Sequence, residues 1–373
     1  MASTTANKVG HIERTAAEPR DKASHLTSWI WVAFHSHLSQ SLFTVVLRKI
    51  DEVNDQVRLF HLEIPLDGPQ LRFLPGQWLD VYCPGVPKAG GFTITSPPSK
   101  ARPSSSSVAD RAVSDKDPRP NKDNDEEKPA AKSPGYLELA VQNSPANPPA
   151  AWLWQGEEKG MAKPTKDTII DRELRVRVGG SFVWPPPGIN VHTLRRVVFV
   201  AGGVGINPLI SMASSLVPPL PFEVKFLYST KDPLRTTAQS GLGAESKDET
   251  RDASRILFLD RLVKIFGGDG ETEEARSGKL KGQLKLFLTG GGTQGRREEK
   301  SAIEVGESSK VTFLGRRMGV SDVEEAVGEP AERRFAVVYV CGVPNMTDTF
   351  VEKLRSKDGL DMEAHRVLCE KWW

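Results

Sequence analysis

The stretch Val197-Val-Phe-Val-Ala-Gly-Gly-Val-Gly-Ile-Asn-Pro208 decides the fold. Its apolar run suits a strand buried on both faces, the glycines suit a tight turn, and the proline suits the first turn of a helix. Glycine lets the backbone approach a phosphate closely, and a helix start offers unpaired N–H groups with the positive end of the helix dipole. The segment reads G-x-G-x-x-P from Gly203, short of the full dinucleotide fingerprint, and the acidic ribose partner expected roughly 20 residues on is absent. A plain strand-to-helix turn uses the same residues.

Downstream, Tyr339-Val-Cys-Gly-Val-Pro-Asn-Met346 repeats the pattern of strand, glycine turn and helix, the helix running over Met346–Leu354. Two such turns at the carboxyl ends of parallel strands face one crevice, where open α/β sheets bind ligands. Cys341 ends its strand either as a contact to that ligand or as a small buried hydrophobe. Between the two turns the chain alternates strands with helices. Strands are expected at Arg196–Ala201, Phe222–Ser229, Leu284–Leu288, Phe335–Cys341 and His365–Cys369, and helices at Pro208–Leu216 and Ile256–Phe266. Polar tracts at about 236–252 and 290–310 read as loops. Residues 191–373 therefore form a doubly wound α/β domain.

Upstream the texture is antiparallel. Leu42–Lys49, Val57–Ile64, Trp78–Cys83, Phe92–Thr95, Tyr136–Val141 and Leu174–Val178 are short strands divided by Asp, Asn, Pro and Gly, a count that predicts a six-stranded barrel over 39–190. Residues 99–134 hold almost no large apolar side chain and read as a disordered insertion. Residues 1–38 form an N-terminal extension whose start mixes basic and acidic residues and lacks the apolar region of a secretory signal.

Composition narrows the function. Fifty Lys and Arg against 48 Asp and Glu leave +2, so no global field attracts nucleic acid or an anionic membrane. No apolar run reaches the roughly 18–20 residues that cross a bilayer. The 3 cysteines, Cys83, Cys341 and Cys369, are widely spaced and fit a reducing, intracellular compartment. No histidine or cysteine spacing places metal ligands together, and no G-x-S-x-G elbow appears.

The glycine turns resemble the paired GGxGxxP and CGPxxM pyridine-nucleotide motifs of the ferredoxin reductase-like flavoproteins, in the same order along the chain. Leu74-Pro-Gly-Gln-Trp78 is similar to that family's PGQ turn, and Gly90-Gly-Phe-Thr-Ile-Thr-Ser96 stands in the place of its R-x-Y-S flavin motif. The resemblance implies a flavin barrel followed by a nucleotide domain, with FAD, or FMN as the alternative, and NADH or NADPH. It implies that Gly91, Phe92, Thr93, Ile94, Thr95 and Ser96 border the flavin, Phe92 packing on the isoalloxazine and Thr93 bonding N5. The family's arginine, which neutralises the cofactor diphosphate, falls on Gly90 here. Asn147-Pro-Pro-Ala-Ala-Trp152 reads as a capped helix start, so Pro149, Ala150 and Trp152 are placed where the family's second flavin motif holds that diphosphate.

The pyridine nucleotide is assigned to Gly202, Gly203, Val204, Gly205, Ile206, Asn207 and Pro208, with Cys341, Gly342, Pro344 and Met346 from the second turn. Ser229 and Lys231 approach the adenosine ribose. Cys341 would contact the nicotinamide, Glu370 would relay a proton, and Trp372 or Trp373 would cover the flavin face. The expectation is a reductase passing hydride from NAD(P)H to flavin and electrons onward to an acceptor such as a small redox protein, with no nucleic-acid partner. The resemblance points to mitochondria, the cytoplasm being the alternative address. The rival is a degenerate, nucleotide-binding interaction protein of the same fold.

Overall fold

The computed structural model describes residues 41–105, 132–155, 169–233, 251–270, 272, 277–290, 300–306 and 309–371. The N-terminal extension, most of the 99–134 insertion, Trp372 and Trp373 lie outside the described residues.

Strand alternation builds the first sheet. In β1 (Phe43–Asn54), Phe43, Val45 and Leu47 face inward while Thr44 and Arg48 stay exposed. With β2 (Val57–Glu63), β3 (Trp78–Tyr82), β4 (Gly90–Thr93), β7 (Tyr136–Gln142) and β8 (Glu173–Gly179) it forms six antiparallel strands in the order β4-β3-β8-β1-β2-β7. The sheet closes on itself beyond β4: Ile94 bridges Leu139, and the Thr95 N–H donates to the Glu138 carbonyl at 2.8 Å. Phe60, Leu62, Leu79, Val81, Leu137 and Val176 fill the barrel, and helix α1 (Pro148–Leu153) adds Ala150 and Leu153 to that core. At its margins the expected insertion is ordered, with β5 (Ser104–Ser105) pairing β6 (Lys132–Ser133).

The second sheet has seven strands: β9 (Arg196–Gly202), β10 (Glu223–Lys231), β11 (Gly282–Thr289), β12 (Lys300–Val305), β13 (Ser309–Leu314), β14 (Ala336–Gly342) and β15 (Val367–Lys371), ordered β12-β13-β11-β10-β9-β14-β15. All neighbours are parallel except the β12–β13 pair. After β9 the chain builds outward through β10 and β11, then returns to β9's other side with β14, so the switch point lies between β9 and β14. Helices α2 (Ile206–Ala213), α3 (Leu259–Phe266), α4 (Val320–Val327) and α5 (Pro344–Arg355) complete the domain.

Three expectations need correction. Within the tract read as a loop at 290–310, residues 300–305 form β12 and pair with β13, and Ile303, Val305, Val311 and Phe313 alternate into the core. The lysines, glutamates and serines between them hid that period of two. Helix α3 begins at Leu259, later than Ile256, because Phe258 sits at φ 61° and breaks the helical path. Helix α2 begins at Ile206, two residues early, which leaves Pro208 inside the first turn where its missing N–H costs nothing.

Barrel and α/β sheet are stitched by polar contacts. Asn207 Nδ2 donates to the Ala140 carbonyl at 3.0 Å, Ser211 Oγ to the Ser96 carbonyl at 2.9 Å, and Tyr339 Oη to the Val183 carbonyl at 2.9 Å. Arg261 reaches across to donate to the Thr95 carbonyl at 3.2 Å and to Glu138 Oε2 at 2.8 Å. Glu138 is buried, and its other oxygen accepts from Thr95 Oγ1 at 2.6 Å.

Candidate functional site

The two glycine turns interlock at the switch point. A Cβ on Gly205 would lie 2.3 Å from the Cys341 carbonyl oxygen, one on Gly202 would lie 2.6 Å from Met346 Sδ, and one on Gly342 would meet Met346 Cε at 2.4 Å. These three glycines let two backbones and a methionine pack at the carboxyl ends of β9 and β14. Gly203 differs: it sits at φ 54° with nothing within 4 Å of its Cβ direction, so its backbone is presented to open space. No side chain caps the start of α2. A one-turn 3-10 helix over Gly203–Gly205, also without a side-chain cap, leads into α2, where the Ile206 N–H donates to the Gly203 carbonyl and Pro208 has no N–H, so it is the backbone of the glycine turn that fits the diphosphate of a pyridine nucleotide.

Around this cradle, Gly202, Gly203 and Val204 are partly exposed, whereas Gly205, Ile206, Asn207 and Pro208 are buried. Ile206 belongs to the sheet core and Asn207 holds the barrel, so neither faces a ligand with its side chain. Ser229 lies in register with Gly202 on the neighbouring strand, and Lys231 is exposed at that strand's end. The next residue, Asp232, is engaged within the protein, both of its oxygens accepting from Arg251 Nε at 3.0 and 3.1 Å. Pro344 opens α5 and is partly exposed.

Cys341 and Glu370 are register partners on β14 and β15. Cys341 is wholly buried in the sheet core; burial first, then the nearby Glu370 and Cys369, push its thiol well above the ordinary range. At neutral pH it is an uncharged, buried thiol and not a nucleophile, the small core residue that was the alternative reading.

On the barrel, the positions assigned to flavin divide by strand face. Phe92 stands opposite Leu79 and is turned into the barrel core, 8% exposed, so its ring is not an open platform. Thr93 stands opposite Trp78 on the outer face and is 3% exposed. Ile94 is a core residue, and Thr95 and Ser96 carry the contacts to Arg261 and Ser211. Gly91 is partly exposed beside Asp80.

The arginine of the family has no counterpart at Gly90, and the anion site expected at the Asn147 helix start has no free donor. At Gly90 a Cβ would lie 2.6 Å from Phe92 Cε2 and 2.7 Å from Pro149 Cβ, so the place of the family's arginine is filled. At α1, Pro148 and Pro149 have no N–H, Ala150 N donates to Asn147 Oδ1 at 3.4 Å, and Ala151 N donates to the Asn147 carbonyl at 2.8 Å. That helix start has no donor left for an anion, and Pro149 and Ala150 are buried against the barrel while Trp152 is half-exposed. The chain's residues do not fit FAD held by its diphosphate.

Sequence reasoning missed the Arg261–Glu138 contact, which joins residues 123 apart and leaves no local signal.

No protein-family profile matches the chain. A Danio rerio protein named oxidoreductase NAD-binding domain-containing protein 1 is 26% identical over 370 residues, spanning 99% of this chain and 100% of the relative. Among solved structures, the Amycolatopsis cytochrome P450 reductase GcoB superposes with a TM-score of 0.51 at 16% identity, over 89% of this chain and 69% of that one. A flavohemoglobin from Malassezia yamatoensis, solved with bound FAD and heme, gives a TM-score of 0.50 at 11% identity, over 92% and 63%. The chain has the ferredoxin reductase-like fold, an antiparallel barrel followed by a mostly parallel α/β sheet.

Proposed function

We propose that this protein is an NAD(P)H-dependent oxidoreductase whose α/β domain presents a nicotinamide to the outer face of the barrel, where a flavin takes the hydride. One observation carries the reading: the turns after β9 and β14 interlock at the switch point through Gly202, Gly205 and Gly342, while Gly203 keeps open space in its Cβ direction. The backbone of the Gly203–Gly205 turn would hold the diphosphate, and Ser229 would border the adenosine ribose. NADH is the first choice, because Arg251 is engaged by Asp232 and leaves exposed Lys231 as the nearest described cation for a 2′-phosphate.

The bound nucleotide supplies hydride. The protein's residues would orient and shield it: Cys341, buried at the end of β14, would give a compact, neutral backing, and its register partner Glu370 would exchange a proton with solvent. Electrons then pass to an acceptor, a small redox protein being the class proposed.

The absent diphosphate anchors favour one rival, a nucleotide-binding interaction protein without turnover. Titrating NADH against protein fluorescence, then following NADH oxidation with added flavin, separates them. Binding with turnover supports the reductase; binding without it supports the rival; no binding removes both.

A further inference from the structure

Helix α2 follows directly on the glycine turn, and every one of its residues is buried. Ile206, Leu209, Ile210 and Met212 join the sheet core. Asn207 and Ser211, one turn apart on the same helix face, instead turn polar groups to the barrel. Asn207 Nδ2 donates to the Ala140 carbonyl of β7 at 3.0 Å, and Ser211 Oγ donates to the Ser96 carbonyl at 2.9 Å. Both carbonyls lie on the seam where the barrel closes, where the Glu138 N–H donates to Ser96 Oγ at 3.1 Å and the Thr95 N–H to the Glu138 carbonyl at 2.8 Å. Helix α2 therefore clasps β7 and the segment that follows β4.

Stability alone does not account for Asn207. Its Oδ1 is buried and has no hydrogen-bond partner among the described residues, and an orphaned buried acceptor costs at least as much as one hydrogen bond returns. The amide is oriented by its donor, since the reverse placement would set two oxygens against each other. An apolar side chain of similar size would fill the position without the orphaned atom. What the amide supplies is a fixed distance between α2 and β7.

That distance reaches the cradle. Asn207 lies just beyond Gly205, whose backbone is pressed on Cys341, so the glycine turn cannot shift along the barrel without breaking the Ala140 contact. Val57 and Ala140 of the barrel share one apolar core with Ile206 and Leu209, which shields the contact from water. Hydride transfer is steep in distance: a misplacement of about 1 Å can cost on the order of a hundredfold in rate.

We propose that Asn207 is a positioning residue: its amide, supported by Ser211 one turn on, sets the nucleotide cradle at a fixed distance from the barrel seam, so that a preformed contact between the domains aligns the nicotinamide. The inference rests on the NAD(P)H reading above. Asn207 touches neither nucleotide nor acceptor.

The test uses the full chain with NADH and added flavin in a single anaerobic turnover, in which the nicotinamide C4–H bond breaks, its hydrogen and both electrons pass to the flavin, and water supplies the second proton. Asn207→Leu keeps the volume and removes both polar atoms. Its melting temperature should stay near native and its NADH affinity within about threefold, while flavin bleaching slows roughly tenfold or more. NADH deuterated at C4 should show a primary isotope effect no smaller than native, which marks hydride transfer as the slowed step. Ser211→Ala should give the same split to a smaller extent, and it decides by the same measurements where Asn207→Leu does not fold. A native bleaching rate in Asn207→Leu would overturn the inference. So would a loss of NADH affinity in step with the rate, which would make Asn207 a ligand contact, or a rate loss matched by a fall in melting temperature, which would make it structural alone. Native protein that binds NADH without accelerating the bleaching would overturn the reductase reading and this inference with it, an outcome read in the native control before any variant is compared.

Discussion

Gly205 and Cys341 meet backbone to backbone across the switch point, so closely that one methyl on Gly205 would press to 2.3 Å from the Cys341 carbonyl oxygen. The contact separates two situations that the glycine-rich sequence runs together: Gly202, Gly205 and Gly342 hold the loops to each other, and Gly203 is left with open space beside it.

Substitutions at these glycines should therefore diverge. Gly205→Ala should lower the melting temperature and depress all functions together, because the clash is with backbone. Gly203→Asp should keep most of the stability, losing about 1 kcal/mol to the left-handed backbone, yet abolish NADH binding by setting a carboxylate in the anion cradle. Paired melting curves and NADH titrations read both. A Gly203→Asp protein with native NADH affinity would refute the assignment.

Arg261 and Glu138 join the two domains through a buried carboxylate. Arg261→Ala leaves that carboxylate with Thr95 alone among its short contacts, and stability should fall by roughly 2–4 kcal/mol. Glu138→Gln with Arg261→Ala should restore part of it, since the uncompensated charge goes too. Urea midpoints of the two single variants and the double measure the coupling; additive losses would show that the pair does not act together.

Asp322 is an acid-sensitive point in the α/β domain. Burial pushes its carboxyl upward, but Arg316 at 2.7 and 2.8 Å, the Gly319 N–H at 2.8 Å and Lys285 at 3.1 Å outweigh that and hold it at about 2. A carboxyl lowered in the folded state stabilises above its unfolded value, about 3.9, and loses that stabilisation as pH falls through the folded value. Asp322→Asn should cost stability at pH 7 and flatten the decline between about pH 4 and pH 2. Denaturant midpoints across that range check it, and parallel curves for native and variant would count against it.

Thiol chemistry should rank the cysteines by access. Cys369 is partly exposed, whereas burial pushes Cys83 up to about 12 and Cys341 well above its ordinary value. Iodoacetamide at pH 8 should modify Cys369 first and leave Cys83 and Cys341 until the chain unfolds. Early labelling of Cys341, located by peptide mass, would mean that the end of β14 opens to solvent.

Much of the fold was legible where one period dominates. The runs Val197–Ala201 and Val337–Cys341 are buried along their whole length, as parallel central strands must be, and the alternation of Phe43, Val45 and Leu47 marks a barrel wall. The β12–β13 pair was not legible, because its core residues are interleaved with lysine, glutamate and serine on an edge strand that faces solvent. The two glycine turns of the candidate site were legible, but not how their glycines divide. Which glycine packs and which is left with open space depends on the distance to a strand more than 130 residues away, and the closing of Gly90 by Phe92 depends on side-chain direction. The donor shortage at Asn147-Pro-Pro was countable from sequence, since two prolines remove two N–H groups in any fold the chain adopts.

The most direct test of the nicotinamide crevice is a single anaerobic turnover: NADH is mixed with protein and flavin, and the flavin's visible absorbance is followed. Native protein should bleach the flavin far faster than NADH and flavin do alone, and Gly203→Asp should remove the acceleration while the fold persists. Bleaching at the uncatalysed rate with native protein, or acceleration retained by Gly203→Asp, would contradict hydride delivery from the cradle between β9 and β14.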